Sequence, residues 1–215
     1  MNLSEREGQP LSLRAGLIRF FGLSVYLAAV AGVIHYSAAS REVAGESSLI
    51  EQLQLLFLAI TCVLFLKIAL RFPVYRRAGY LFAAFFICLA IREMDALLDQ
   101  IVHGFWKYPA WLVALVALAL ALRQRELSYQ SIRWLISCRS FSVLLIGLSL
   151  LLVFSRLYGM SELWLAVMGE AFVRDVKNLS EEGIELLAYA LIALAAACYW
   201  FEISHSVSKQ RPQKE

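Results

Sequence analysis

The chain has 215 residues, of which 60% are hydrophobic and 17% are charged. Soluble domains are roughly 45–50% apolar and about 25% charged, so this composition excludes an ordinary soluble domain and indicates a membrane protein. The formal net charge is only +3, which we interpret as a signal of membrane topology and not of nucleic-acid binding. We therefore expect membrane lipids, and no nucleic acid, among the partners.

Six stretches are apolar over the length that a helix needs to cross a bilayer. A hydrocarbon core of about 30 Å requires roughly 20 apolar residues at about 1.5 Å per residue. The sequence thus predicts an all-α fold, in which residues 1–215 form a single membrane domain built as a bundle of six transmembrane helices. The predicted spans cover residues 17–37, 49–70, 79–101, 105–123, 141–159 and 183–203.

The segment between the fifth and sixth predicted spans, residues 161–178, is amphipathic. Its apolar residues, Trp164 and Val167 among them, recur at helical spacing, while Glu162 and Glu170 occupy the other side. This pattern predicts a short interfacial helix on the outer surface of the membrane. Such a helix either only anchors the chain or forms a lid over a site beneath it.

Basic residues are concentrated in alternate segments. Fourteen of the 20 Lys and Arg residues fall in the N-terminal tail, residues 67–78, residues 123–140 and the C-terminal tail. Because positive residues favour the cytoplasmic side, we predict that both termini are cytoplasmic. The short loops favour a multi-pass plasma membrane protein of the bacterial inner membrane.

Carboxylates from three predicted spans fall in one layer near the outer side. Glu93 lies about 21 Å along the third span from Gly79, roughly 9 Å inside the edge of a 30 Å core. Glu185 of the sixth span reaches a similar height, and Glu51 of the second lies at or just above it. Charged groups at this depth are costly, so they should face the bundle interior, pair with other groups or contact water.

The third span also carries a polar face. Asp95, Asp99 and His103 are spaced i, i+4, i+8, and Arg92 precedes Asp95 by three residues on the same face. His35 ends the first span at the same surface.

Some of these acids have a structural explanation. Ser48 and Glu51 fit a capping box. Glu181 and Glu182 fit the first turn of a helix, where the macrodipole favours acids, and Tyr189 follows them on the sixth span at helical spacing together with Glu185.

Glu93, Asp95 and Glu185 lie deeper than capping requires. Arg92 can neutralise Glu93 or Asp95, but one arginine cannot neutralise three carboxylates. We therefore expect this group to hold protons or a cation.

The sequence predicts an outward-facing intramembrane acidic site that binds a metal ion or exchanges protons, in a protein with a role in transport. Oxygen ligands with an imidazole suit manganese, iron or zinc, whereas carboxylates alone suit calcium or protons. The predicted metal ligands are Glu51, Glu93, Asp95, Asp99, His103, Glu182 and Glu185, with Arg92, His35 and Tyr189 in support.

Two other functions stay open at this point. The protein is alternatively a membrane-embedded metal-dependent enzyme that acts on a lipid at the outer leaflet, with Glu93 or Glu185 as general base. It is otherwise a non-catalytic subunit or scaffold, associated with other membrane subunits or with copies of itself. A haem between His35 and His103 would rest on two residues only, and we do not favour it. No motif identifies a family.

Overall fold

The computed structural model describes residues 12–40 and 48–209, and every regular element within these residues is helical. The all-α class predicted from the sequence is thereby confirmed. The elements are α1 (Leu13–Ser40), α2 (Leu49–Arg71), a 3-10 turn (Pro73–Tyr75), α3 (Arg76–Glu93), α4 (Asp95–Leu98), α5 (Lys107–Arg123), α6 (Arg125–Ile136), α7 (Ser140–Ser149), a π-helical turn (Leu150–Phe154), α8 (Ser155–Gly159), α9 (Ser161–Met168), a 3-10 turn (Gly169–Ala171) and α10 (Arg174–Lys209).

Five helical segments in the described part of the chain are long and apolar enough to cross a membrane, as expected of a multi-pass membrane protein. They correspond to five of the six predicted spans. The remaining one, α5, has 17 residues and a length of about 26 Å. The five segments are Leu13–Ser40, Leu49–Arg71, Pro73–Glu93, Ser140–Gly159 and Arg174–Ser208.

Helix α10 is the centre of the bundle and packs against α1, α2, α7 and α8, while α3 packs against α2 and α5. Small residues permit the close approaches. A Cβ added to Gly147 of α7 would lie 2.8 Å from the Ile192 Cγ1 atom, and one on Gly79 of α3 would lie 2.9 Å from Ala69 Cβ. Small residues at helix contacts are typical of membrane bundles, where dispersion forces and close packing hold helices together.

The bundle has two chemically different ends. At the acidic end, defined by Glu51, Glu93 and Glu185, α2 begins, α3 ends and α10 has its first turns. At the basic end, defined by Arg76 and Arg139, α3 and α7 begin and α10 ends. This separation agrees with the predicted distribution of charge. Three basic residues of the predicted tails, Arg6, Arg211 and Lys214, lie outside the described residues.

Two predicted helices differ from the observed ones. The third span does not continue to residue 101, because α3 ends at Glu93 and the chain leaves the α-helical conformation at Met94. The predicted interfacial helix over residues 161–178 is not a single helix. It is interrupted at Gly169, whose φ of 56° is accessible mainly to glycine, and the residues from Arg174 onward belong to α10.

Candidate functional site

A hydrogen bond between α3 and α10 lies at the centre of the site. The Tyr189 hydroxyl donates to Glu93 Oε1 over 2.7 Å. Tyr189 is fully buried, and the Glu93 side chain is only 12% exposed. Glu93 and Tyr189, which were both named from the sequence, are thus in direct contact.

A second carboxylate of the acidic end is paired with an arginine from α8. Arg156 Nη2 lies 2.6 Å from Glu185 Oε1, and the Glu185 side chain is 8% exposed while that of Arg156 is 49% exposed. Glu185 is therefore buried with its charge partnered, whereas Arg156 connects the bundle interior to the surface.

These groups form one network, which we name the Glu93–Glu185 cluster and define as Arg92, Glu93, Arg156, Glu185 and Tyr189. The two carboxylates interact electrostatically with each other and with both arginines. Arg92 Nη1 lies 3.9 Å from Glu93 Oε1. With two acids and two arginines, the cluster carries no formal net charge when all four are ionised.

The π-helical turn that precedes Arg156 determines where its side chain points. The Ser155 backbone N–H donates to the Leu150 carbonyl, five residues earlier instead of four. A π turn inserts one extra residue into a helix, which rotates all later side chains by about 100° around the axis. Because Arg156 is the second residue after this turn, an uninterrupted α-helix would turn its side chain by about 100° from its present direction toward Glu185.

A second acidic group lies closer to the surface, and we name it the Glu182 cluster, defined as Glu51, Lys177, Glu181 and Glu182. Glu182 interacts electrostatically with the other three residues. Lys177 Nζ lies 3.0 Å from Glu181 Oε2. The cluster contains three carboxylates and one ammonium group, and Glu182 Oε2 is buried with no hydrogen-bond partner among the described residues. Here the acids outnumber the bases.

The Ser48 side of the capping box expected at the start of α2 is present. The Ser48 side chain accepts a hydrogen bond of 3.2 Å from the Glu51 backbone N–H. Gln54, one turn later, donates from Nε2 to the Glu182 backbone carbonyl over 3.1 Å. These contacts hold the beginning of α2 against α10 and place Glu51 beside Glu182.

The predicted helical face of Asp95, Asp99 and His103 does not join either cluster as a unit, because the helix is broken at Met94. Asp99 Oδ1 accepts from the Gly104 backbone N–H over 2.8 Å, and Asp99 Oδ2 lies 3.1 Å from His103 Nδ1. The His103 side chain is 98% exposed. Asp99 thus stabilises the turn at Gly104, where φ is 80°.

The other predicted residues occupy the margin of the site. Asp95 is exposed at the start of α4, although its charge is still felt by Glu93. His35 is exposed on α1. Among residues 12–40 and 48–209, no group of three His, Cys, Asp or Glu side chains is arranged to hold one metal ion. The metal ligands named from sequence stay a prediction.

Sequence reasoning missed Arg156 as the partner of Glu185. It counted one arginine near three deep acids, whereas the structure provides two. A signal was available, since Arg156 lies near the outer end of the fifth predicted span, at the level expected for Glu185.

Glu202, at the basic end, was also missed. It accepts hydrogen bonds from the backbone N–H groups of Arg139 and Ser140 at 2.8 and 3.1 Å, and from Ser140 Oγ at 2.7 Å. A carboxylate from α10 therefore caps the start of α7. The neighbouring Cys138 thiol lies between α6 and α7, and burial together with the Glu202 charge raises its pKa to about 11, against a smaller lowering by its hydrogen bond with Tyr75.

Comparisons with family models, with curated proteins and with solved structures find no match for this chain.

Proposed function

We propose that the protein exchanges protons at the Glu93–Glu185 cluster, from the outer side of the membrane, as part of a transport process. The observation that carries this proposal is the buried Tyr189–Glu93 hydrogen bond next to the Arg156–Glu185 ion pair. Ionisable groups within a membrane bundle are costly and commonly belong to proton or ion pathways. Here they are linked into one network that crosses from α3 to α10 and α8.

Arg156 is the residue of this network whose contacts would change when a carboxylate binds a proton. It interacts with both Glu93 and Glu185 and is half exposed. Protonation of Glu185 would remove the charge that holds Arg156 and leave its guanidinium to Glu93 or to water. A change in one carboxylate would thereby be transmitted to the other, which is the coupling that transport requires.

The charge balance favours protons over a metal ion at this cluster. A divalent cation needs an excess of negative ligands, and it would have to displace two guanidinium groups that already contact the carboxylates. A proton needs no set of ligands, because it binds to a single carboxylate oxygen. It can be taken up by groups that already lie within hydrogen-bond distance of each other.

We further propose six crossings, with α5 as the fourth. Helix α5 follows α3 along its length, since Cys88 Sγ donates to the Ala110 carbonyl near one end and Arg77 Nη1 donates to the Leu120 carbonyl near the other, over 3.4 Å in each case. An even number of crossings would place both termini on one side, the cytoplasmic side of a bacterial inner membrane by the positive-inside rule. In this arrangement α9, with Val167 73% exposed, would rest in the lipid headgroups.

Infrared spectroscopy of the purified protein in lipid, titrated over pH, tests proton exchange directly. Protonated carboxyl groups give a C=O band that carboxylates lack, so we expect a pH-dependent band that Glu93→Gln or Glu185→Gln reduces. Glu162→Gln, at an exposed acid outside the cluster, serves as the matched control. Proteoliposomes containing a pH-sensitive dye should show proton movement in the parent protein and the control but not in the two cluster variants. An unchanged carboxyl band in both variants would contradict the proposal.

A second candidate is a metal ion at the Glu182 cluster, whose carboxylates would have to close around the ion. It is favoured by the excess of carboxylates and by the unpartnered Glu182 Oε2. Elemental analysis of the parent protein and of Glu51→Gln/Glu182→Gln tests it. Metal that is lost in this double variant but kept in Glu93→Gln/Glu185→Gln would place the ion at the Glu182 cluster. A lipid turnover assay would then separate a metal-dependent enzyme, with Glu93 or Glu185 as base, from a transporter. No metal, no proton exchange and altered stability alone would favour a scaffold or subunit.

A further inference from the structure

Helix α1 packs against α10 over only part of its length. Tyr26 OH donates to the Ala190 carbonyl over 2.9 Å, and Val30 is buried in a cluster with Leu186 and Ala190. The segment from Arg19 to Leu23 lies up to about 10 Å further toward the basic end. There α1 separates from α7 and α10 and leaves a groove of about 1260 Å³.

The wall of this groove is mainly apolar. Leu23 of α1 faces Val143 of α7 and Leu194 of α10 across it. Gly22 also lines it, and a Cβ added there would meet no atom within 4 Å. The groove is thus wide enough at Gly22 for a further hydrocarbon group and is lined with surface that water solvates poorly.

The rim of the groove at the basic end carries two arginines, Arg19 and Arg139, both exposed. Neither forms an ion pair within residues 12–40 and 48–209. Glu202 also lines the groove, but its carboxylate is occupied by the three donors at the start of α7. The two guanidinium groups therefore outweigh the single acid, and the rim favours an anion.

We propose that this groove binds one anionic phospholipid of the leaflet at the basic end, with the phosphate between Arg19 and Arg139 and an acyl chain along Leu23, Val143 and Leu194. The apolar wall of the groove is complementary to an acyl chain, and its cationic rim is complementary to a phosphate group. A second copy of the chain fits less well, because a symmetric contact would bring arginine-bearing rims together. This site is independent of the proton-exchange proposal and lies at the opposite end of the bundle.

Native mass spectrometry with dioleoyl phosphatidylglycerol and dioleoyl phosphatidylcholine tests this site. The parent protein should bind the anionic lipid about tenfold more tightly than the zwitterionic one. Arg19→Gln and Arg139→Gln should each reduce phosphatidylglycerol affinity about fivefold and leave phosphatidylcholine binding unchanged. Gly22→Phe should reduce the binding of both lipids by filling the groove. The matched controls are Arg123→Gln, at an exposed arginine of α5, and Gly32→Phe, where an added Cβ also meets open space.

An experiment on the unmodified protein avoids any dependence on folding of the variants. Phosphatidylglycerol with a photoreactive acyl chain should label the Arg19–Leu23 segment, and unlabelled phosphatidylglycerol should compete better than phosphatidylcholine. Equal competition by the two lipids, labelling confined to other helices, or crosslinks from a second copy of the chain at Leu23 would overturn the proposal.

Discussion

The Tyr189 hydroxyl donates a 2.7 Å hydrogen bond to Glu93 Oε1 and so joins the last residue of α3 to the interior of α10. Tyr189→Phe would remove this donor and leave a buried carboxylate oxygen without it. A hydrogen bond to a charged group contributes about 1.5–3 kcal/mol, so we expect a loss of that order in the free energy of unfolding. Denaturation monitored in detergent micelles measures it. Tyr36→Phe, at an exposed tyrosine of α1, should change stability by less than about 0.5 kcal/mol.

The Arg156–Glu185 pair predicts a strong thermodynamic coupling. Arg156→Gln leaves the Glu185 carboxylate buried without its nearest cation and should destabilise the protein by about 1–3 kcal/mol, a value reduced from that of a fully buried pair because Arg156 is half exposed. Arg156→Gln/Glu185→Gln should be more stable than Arg156→Gln alone, since the uncompensated charge is gone. A double-mutant cycle measures this coupling, and strictly additive effects would argue against the pair as a functional unit.

The π-helical turn over Leu150–Phe154 predicts the effect of a single-residue deletion. Removal of Leu152, an exposed residue of this turn, should restore α-helical spacing and rotate Arg156 by about 100° away from Glu185. We expect the stability of this variant to fall to that of Arg156→Gln, and to rise when Glu185→Gln is added, as it should in Arg156→Gln. Leu152→Ala keeps the extra residue and is the control. A deletion variant that retains full coupling between Arg156 and Glu185 would show that the turn does not orient the arginine.

The raised pKa of Cys138 predicts slow alkylation. At pH 8 a thiol with a pKa of about 11 is ionised in only about one molecule in a thousand, and reactivity should rise steadily as the pH approaches 11. Glu202→Gln removes a negative charge that raises this pKa, so it should accelerate labelling at pH 8. Peptide mapping after iodoacetamide treatment measures the rate at Cys138. A slower reaction in Glu202→Gln would contradict the assigned direction.

The crossing of α5 predicts the exposure of its two ends. Single cysteines at Lys107 and at Arg123 should react with a membrane-impermeant maleimide from opposite sides of sealed cells or vesicles. A cysteine in place of Arg123 should react with this maleimide from the same side of the membrane as a cysteine at the C-terminal end of α10. Labelling of both α5 positions from one side would contradict six crossings.

The candidate site could be predicted from sequence only in part. The depth of Glu93, Glu185 and Glu51 follows from counting along a helix, because each residue advances by about 1.5 Å whatever surrounds it. The residues that each carboxylate contacts cannot be derived by counting along a helix. The direction of a side chain depends on every turn that precedes it, so the π turn before Arg156 and the break at Met94 each change which groups meet.

By itself the sequence determined that the chain is helical, that it belongs in a membrane and that acids and bases are concentrated at opposite ends, since these properties depend on composition and on position along each segment. Only the tertiary structure decided that Tyr189 binds Glu93, that Arg156 pairs with Glu185, and that Glu202 caps α7. These pairings join residues 29 to 96 positions apart, and they depend on the rotation of whole helices as they pack. The local pattern of apolar and polar residues in the sequence does not determine that rotation.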